Sequence, residues 1–328
     1  MILQPRVDET APGQPLRVAP ILDAVGVGHR FRNGRGVGPV DLCIAPGERT
    51  ALMGANGAGK TTLLRILATS ARPRRGIVRW CGTARPRDGR RWIGFAPDAV
   101  LDDPGLTGRQ ATYFWCRQWA RENTGDLVED ALRRFGLAAV ADEPIAGYSF
   151  GMRRRLALAQ ALAHEPRLAL LDEPTAGLDA EGISGLGEEL MNRARRGSAT
   201  LVASNDCAFV AEACDRVIFL DGGTVLADAT PEQLLAGVGT ARRVELDIDS
   251  TTEPRMDDLS VLLGIDNAAY ARGVVTVDLL DDAALAAVVR VVDGWPGGVR
   301  AVRIRRPDLS DAFSQLTGSA FNAGVSPR

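Results

Sequence analysis

Residues 54–61 read GANGAGKT, a match to Gly-x-x-x-x-Gly-Lys-[Ser/Thr] at every fixed position. The loop follows a short apolar run and opens a helical pattern through Leu63, Leu64 and Leu67. Successive backbone N–H groups of such a loop wrap a polyphosphate, and the helix N-terminus adds its dipole. Lys60 is expected to reach the β- and γ-phosphates as a point charge, and Thr61 to ligate Mg²⁺. Gly54, Asn56, Gly57, Ala58, Gly59 and Thr62 complete the candidate cradle. Downstream, LALLDEP (168–174) ends an apolar run in two carboxylates. Asp172 suits a strand-end acid that holds Mg²⁺ through water, and Glu173 can take a proton from an attacking water.

Composition sharpens one of these positions. Of 39 Lys and Arg residues, Lys60 is the only lysine. A position that keeps lysine in so arginine-rich a chain needs a compact ammonium that a guanidinium fork does not replace. The remaining composition is ordinary for a globular protein: 328 residues, 45% hydrophobic, 24% charged. A net charge of −2 supplies no electrostatic footprint for nucleic acid. No apolar run approaches the roughly 20 residues of a membrane span, and the start lacks a signal-peptide core, so a cytoplasmic protein is expected. The five cysteines form no CxxC pair and read as core thiols.

A third motif, YSFGMRRRL (148–156), completes a set that resembles the ABC-type ATPases, whose signature is approximately L-S-G-G-Q at a helix start. Ser149 and Gly151 are retained, whereas Phe150 and Met152 depart. The resemblance covers about residues 20–236. It implies ATP and Mg²⁺ as cofactors, with Ser149 and Gly151 acting on nucleotide held by a second protomer. Asp179 of TAGLD (175–179) matches the loop between the two sites. Phe31 stands where the family stacks an aromatic on adenine, though core packing would also account for it. The ending PDLSDAFSQLTG (307–318) is similar to that of daunorubicin-resistance-type exporter ATPases.

Two positions depart from the family pattern. Where a glutamine commonly follows the strand WIGF, this chain has Asp98, whose carboxylate can still ligate Mg²⁺ or order the water. The family also places a histidine after the strand LVAS, close to the γ-phosphate; here Asn205 occupies that site. Asn205 is therefore expected either to contact phosphate with slowed hydrolysis, or to cap the helix beginning near Asp206.

These residues need strands and helices to hold them. Strand-like runs at Ile21–Val27, Val40–Ile44, Thr50–Met53, Ile77–Trp80 and Trp92–Phe95 precede a helical stretch from Thr107 to Ala163. Strand and helix then alternate through LALLD, a helix at 182–196, ATLVAS and RVIFL, the pattern of a parallel sheet covered on both faces. YFWCRQW (113–119) gathers four aromatics; packing within the helical subdomain is the expected role, and reception of a membrane subunit the other. Beyond Gly239, VELDI and VVTVDLL alternate as strands, and 281–293 reads as a helix capped by Asp281 or Asp282.

The expected fold is α/β. A P-loop NTPase core of the ABC ATPase kind carries an antiparallel β subdomain, a helical subdomain (about 98–164) and a small C-terminal α+β domain. The boundaries are a flexible extension at 1–18, the nucleotide-binding domain at 19–238, an independently packed C-terminal domain at 241–318 and a tail at 319–328. The expected function is the ATPase subunit of an exporter, possible cargo being drugs. It would form a head-to-tail homodimer, or a heterodimer with a second ATPase subunit, attached to the cytoplasmic face of the membrane through a separate permease. The alternatives are a nucleotide-gated regulatory module with little turnover, and a non-transport ABC ATPase.

Overall fold

A computed structural model describes residues 19–98, 103–119, 122–238, 242–249, 254–280, 283–305 and 307–318. The expected extension at 1–18, the tail at 319–328 and the cap at Asp281 or Asp282 lie outside the described residues. The helix in question begins one residue after Ala283, which supplies no side-chain cap.

The first half runs β1 (Leu22–Arg30), β2 (Gly36–Ile44), β3 (Arg49–Met53), α1 (Lys60–Leu67), β4 (Arg75–Trp80), α2 (Pro86–Gly89) and β5 (Ile93–Ala96). The helical subdomain follows as α3 (Gly108–Arg117), α4 (Thr124–Arg134) and α5 (Phe150–Leu162). Next come β6 (Leu168–Asp172), α6 (Ala180–Arg195), β7 (Ala199–Ala203), α7 (Cys207–Ala213), β8 (Arg216–Asp221), β9 (Thr224–Ala229) and α8 (Pro231–Gly237). The C-terminal part comprises β10 (Arg242–Ile248), α9 (Met256–Ser260), β11 (Ile265–Ala271), β12 (Val274–Leu279), α10 (Ala284–Asp293), β13 (Val299–Arg305) and α11 (Leu309–Thr317).

The central sheet has the order β5-β6-β7-β3-β8-β9, parallel except for the edge strand β9. Its strands are fully buried runs because both faces are covered. Successive side chains point to opposite faces: Leu170, Leu201 and Leu52 pack with α1 and the antiparallel sheet β2-β1-β4, while Leu171, Val202 and Met53 pack with the helical subdomain. This topology sets the site. β6, β7 and β3 are neighbours, so the residues that leave their C-terminal ends (Glu173, Ser204–Asn205 and the loop from Gly54) emerge side by side.

In α3, Gly108, Ala111, Thr112 and Cys116 face inward. Tyr113, Phe114, Trp115 and Trp119 are exposed, so the aromatic cluster is a surface and not the internal packing expected of it. The helical period assigns the inner stripe to the small residues and leaves the rings outside.

Strands β11-β12-β10-β13 form an antiparallel sheet with its own core, in which Val244, Leu246, Val275 and Val277 pack against Val288 and Val292 of α10. The last helix does not belong to that core. Leu309, Ala312 and Phe313 of α11 are buried in the larger domain, where Phe313 meets Phe219 of β8 edge to face, ring centroids 5.3 Å apart. The expectation of one independently packed unit at 241–318 is corrected accordingly: the apolar face of α11 packs in the larger domain, while its Asp311 pairs with Arg243 and Arg305 of the small sheet and so ties the two together.

Candidate active site

The loop after β3 turns into α1 through Gly59, whose φ of 105° lies in the left-handed region. A Cβ at Gly59 would also meet the Gly36 carbonyl at 2.6 Å, so glycine is required twice over. The turn delivers Lys60 into a buried position, 7% exposed, where Nζ donates to the Gly54 carbonyl at 2.6 Å and to Asn205 Oδ1 at 3.0 Å. Burial pushes the Lys60 ammonium below its ordinary pKa, opposed by the charges of Glu173 and Asp172. Asn56 and Gly57 are exposed at the loop tip, Ala58 is buried beneath it, and Thr62 is half-buried on α1.

Thr61 Oγ1 donates to Asp172 Oδ1 at 3.3 Å. Asp172 ends β6 and is 1% exposed, and its other oxygen, Oδ2, has no hydrogen-bond partner among the described residues. A buried carboxylate oxygen without a donor is costly unless something positive occupies its far side. Burial raises the Asp172 pKa, with the Thr61 hydrogen bond opposing it. A hydroxyl beside a carboxylate is a hard-oxygen donor set that suits Mg²⁺.

Glu173 adopts φ 47°, a strained conformation for a glutamate. Its N–H donates to the Ala203 carbonyl at 2.8 Å, and its Oε2 accepts from the Asn205 N–H at 3.4 Å. Burial raises the Glu173 pKa, partly offset by Lys60. A carboxylate so raised is a better proton acceptor than an exposed one.

Asn205 thus touches both neighbours: its side chain takes Lys60, and its backbone takes Glu173. The alternative role as helix cap is overturned, because Asp206 caps α7, accepting from the Phe209 N–H at 3.1 Å. Asp206 fits that place because its backbone is extended, as an N-cap requires.

The other expected residues form a second group. Ser149 caps α5, its Oγ accepting from the Met152 N–H at 3.2 Å. A Cβ at Gly151 would approach the Gly177 carbonyl at 2.7 Å, so the helix start lies against TAGLD. Asp179 caps α6 through the Gly182 N–H and pairs with Arg155 at 2.5 Å. Among the described residues, none of these three bonds to Lys60, Thr61, Asp172 or Glu173. Phe31 is 48% exposed, its ring 4.7 Å from that of His29, and so offers a face to solvent.

Asp98 lies near enough to raise the pKa of both Asp172 and Glu173. Its Oδ1 accepts from Arg154 Nη2 at 3.0 Å. Arg154, 1% exposed, is not among the residues that the sequence singles out. The signal was present: Arg154 shares a helical stripe with Ala157, Leu158 and Ala161, all buried.

Comparison with known proteins agrees with this geometry. The family model for ABC transporters matches residues 37–176. The daunorubicin resistance ATP-binding protein DrrA3 of Streptomyces coeruleorubidus is 31% identical over 89% of this chain and 94% of its own length. The nickel import ATP-binding protein NikO of Rhodobacter capsulatus is 32% identical over 70% of this chain and 96% of its own. A solved ATP-binding subunit of an ABC transporter superposes with a TM-score of 0.62 at 25% identity, covering 66% of this chain and 92% of that one. The likeness to DrrA3 exceeds the cassette and takes in most of the C-terminal part. The chain therefore belongs to the ABC transporter family, among its daunorubicin-resistance-type ATP-binding proteins, and is an ATPase.

Proposed function

We propose that the cluster at the ends of β3, β6 and β7 holds Mg·ATP and hydrolyses it slowly, in service of a membrane permease. The observation that carries this is the buried, donorless Oδ2 of Asp172 beside Thr61 and Lys60. Thr61 and Asp172 would hold Mg²⁺, which when bound neutralises charge on the phosphates. Lys60 exchanges the Gly54 carbonyl and Asn205 for phosphate oxygens. Glu173 orients water and accepts its proton as the water oxygen bonds to the γ-phosphorus and the bridging oxygen leaves. Asn205 offers only a neutral amide there, so it cannot add positive charge as the reaction proceeds.

Ser149 and Gly151 belong, in this reading, to the nucleotide of a second protomer, in a head-to-tail pair formed with an identical chain or a second ATPase. Separate grouping of these residues from the Lys60 cluster supports it. The exposed rings of α3 support docking of a permease helix. Among the described residues no helix is long and apolar enough to cross a membrane; in this reading a partner supplies the pathway and the chain binds it at the cytoplasmic face. Similarity to DrrA3 over both parts of the chain favours drug export, with lipid or polysaccharide cargo as the alternative.

The test is Glu173→Gln, which removes the base and leaves Asp172 and the cradle in place. Size-exclusion chromatography at saturating Mg·ATP is expected to show a dimer. A monomer, with and without the permease, would argue against the sandwich. The second reading, a nucleotide-gated module with little turnover, is favoured by Asn205 alone and opposed by Glu173.

A further inference from the structure

Arg154 lies outside the residues that would touch nucleotide, yet its guanidinium joins three parts of the site. Nη1 donates to the Pro97 carbonyl at 3.0 Å and, more weakly, to the Asp172 carbonyl at 3.4 Å. Nη2 donates to the Asp98 carbonyl at 2.8 Å and to Asp98 Oδ1 at 3.0 Å. The donor comes from α5, five residues after Ser149; the acceptors are the two residues that follow β5 and the one that ends β6. The Arg154 side chain is 1% exposed while that of Asp98 is 60% exposed, so the fixed member of the pair is the arginine. A buried guanidinium is expensive, and its planar fork is suited to several acceptors at once.

The neighbouring contacts act in the same sense. Arg155 pairs with Asp179 at 2.5 Å, and the Phe150 ring lies where a Cβ on Gly177 would clash at 2.2 Å. The first turns of α5 are therefore tied to the loops after β5 and β6 at three points. Nothing comparable is needed to hold α5 in the core, since Leu156, Leu158 and Leu162 are already fully buried.

We propose that Arg154 is a positioning residue: it sets the Asp98 carboxylate at the reaction site and links that end of β5 to the signature helix carrying Ser149. Nucleotide that engages Asp98 therefore steadies, through the fixed arginine, the start of the helix that serves the second protomer. The inference rests on the reading of the site as the ATP site.

The experiment combines Arg154→Lys, Asp98→Asn and the double variant. Lysine keeps the charge but cannot span carbonyl and carboxylate together. Positioning predicts that kcat falls about tenfold in Arg154→Lys with KM for ATP within about threefold. It also predicts that the double variant is no slower than the slower single one, because both changes break one link. A folded Arg154→Lys with wild-type kcat, or effects that multiply, would overturn it. A second readout needs no variant. In wild-type protein diluted until monomeric, Mg·ADP is expected to slow amide hydrogen exchange at residues 152–156, and unchanged exchange there would overturn the proposal. Failure of the wild-type protein to bind Mg·ATP would defeat the site reading itself, whereas normal binding with unaffected variants defeats only the role of Arg154.

Discussion

Lys60 Nζ donates to Asn205 Oδ1 at 3.0 Å although 145 positions separate them in the chain. The contact follows from topology: β3 and β7 are adjacent parallel strands, and each residue leaves its strand at the same edge. The amide oxygen faces the cation, so a phosphate held by Lys60 as proposed would compete with Asn205 for it.

Replacing Asn205 with histidine supplies a group that can carry charge. A neutral hydrogen bond contributes roughly 0.5–1.5 kcal/mol and a charged one about 1.5–3. The difference corresponds to roughly 5–30-fold in rate. Asn205→His is therefore expected to raise turnover at saturating ATP several-fold with little change in affinity. An unchanged or lowered rate would remove Asn205 from the reaction.

Lys60→Arg keeps the charge and loses the compact head. The site is 7% exposed and the ammonium has two acceptors within 3.0 Å, geometry that a planar fork does not fit. ATP affinity measured by fluorescent-analogue titration is expected to fall several-fold. Wild-type affinity would refute the cradle assignment.

His164 gives the fold an acid-sensitive point away from the site. Its Nε2–H donates to the Ile93 carbonyl at 3.1 Å, and burial lowers its pKa from 6.5 to about 4. The unfolded chain takes up the proton near 6.5 and the folded one only near 4, so this stability is complete above 6.5 and lost as pH falls toward 4. A gap of that size is worth roughly 3 kcal/mol. Tm is expected to fall more steeply over this window in the wild type than in His164→Gln; equal slopes would contradict it.

Phe313 is 2% exposed in the cassette core, against Phe219. Phe313→Ala is expected to cost about 3–5 kcal/mol in urea unfolding of the nucleotide-binding domain. Truncation near Gly239 should likewise lower the stability of that domain, since it uncovers the surface that α11 buries on α7 and α8. A cassette midpoint unmoved by either change would restore the sheet and α11 to one independent unit.

What was legible in the sequence divides along physical lines. The loop at 54–61 and the acids at 172–173 were legible because backbone φ and strand ends dictate residue type there. Fold class followed from alternation of fully apolar strands with amphipathic helices. Arg154 sits in a run of three arginines, a type usually solvated, and only the helical period places it on the buried stripe of α5. The amphipathic face of α11 was visible, but periodicity says that a face is buried and not what buries it. The rings of α3 failed for the opposite reason: aromatic type suggested packing, while their helical positions put them outside. Asp206, not Asn205, caps α7, a one-residue distinction that composition does not resolve.

In the proposed reaction, Glu173 removes the proton of the attacking water at a site built by Lys60, Thr61 and Asp172. The decisive measurement is steady-state phosphate release at saturating Mg·ATP, compared between the wild type and Glu173→Gln. Slow but measurable release by the wild type is expected, with a fall of about 100-fold or more in the variant and nucleotide affinity retained in both. Release by Glu173→Gln at the wild-type rate would contradict it.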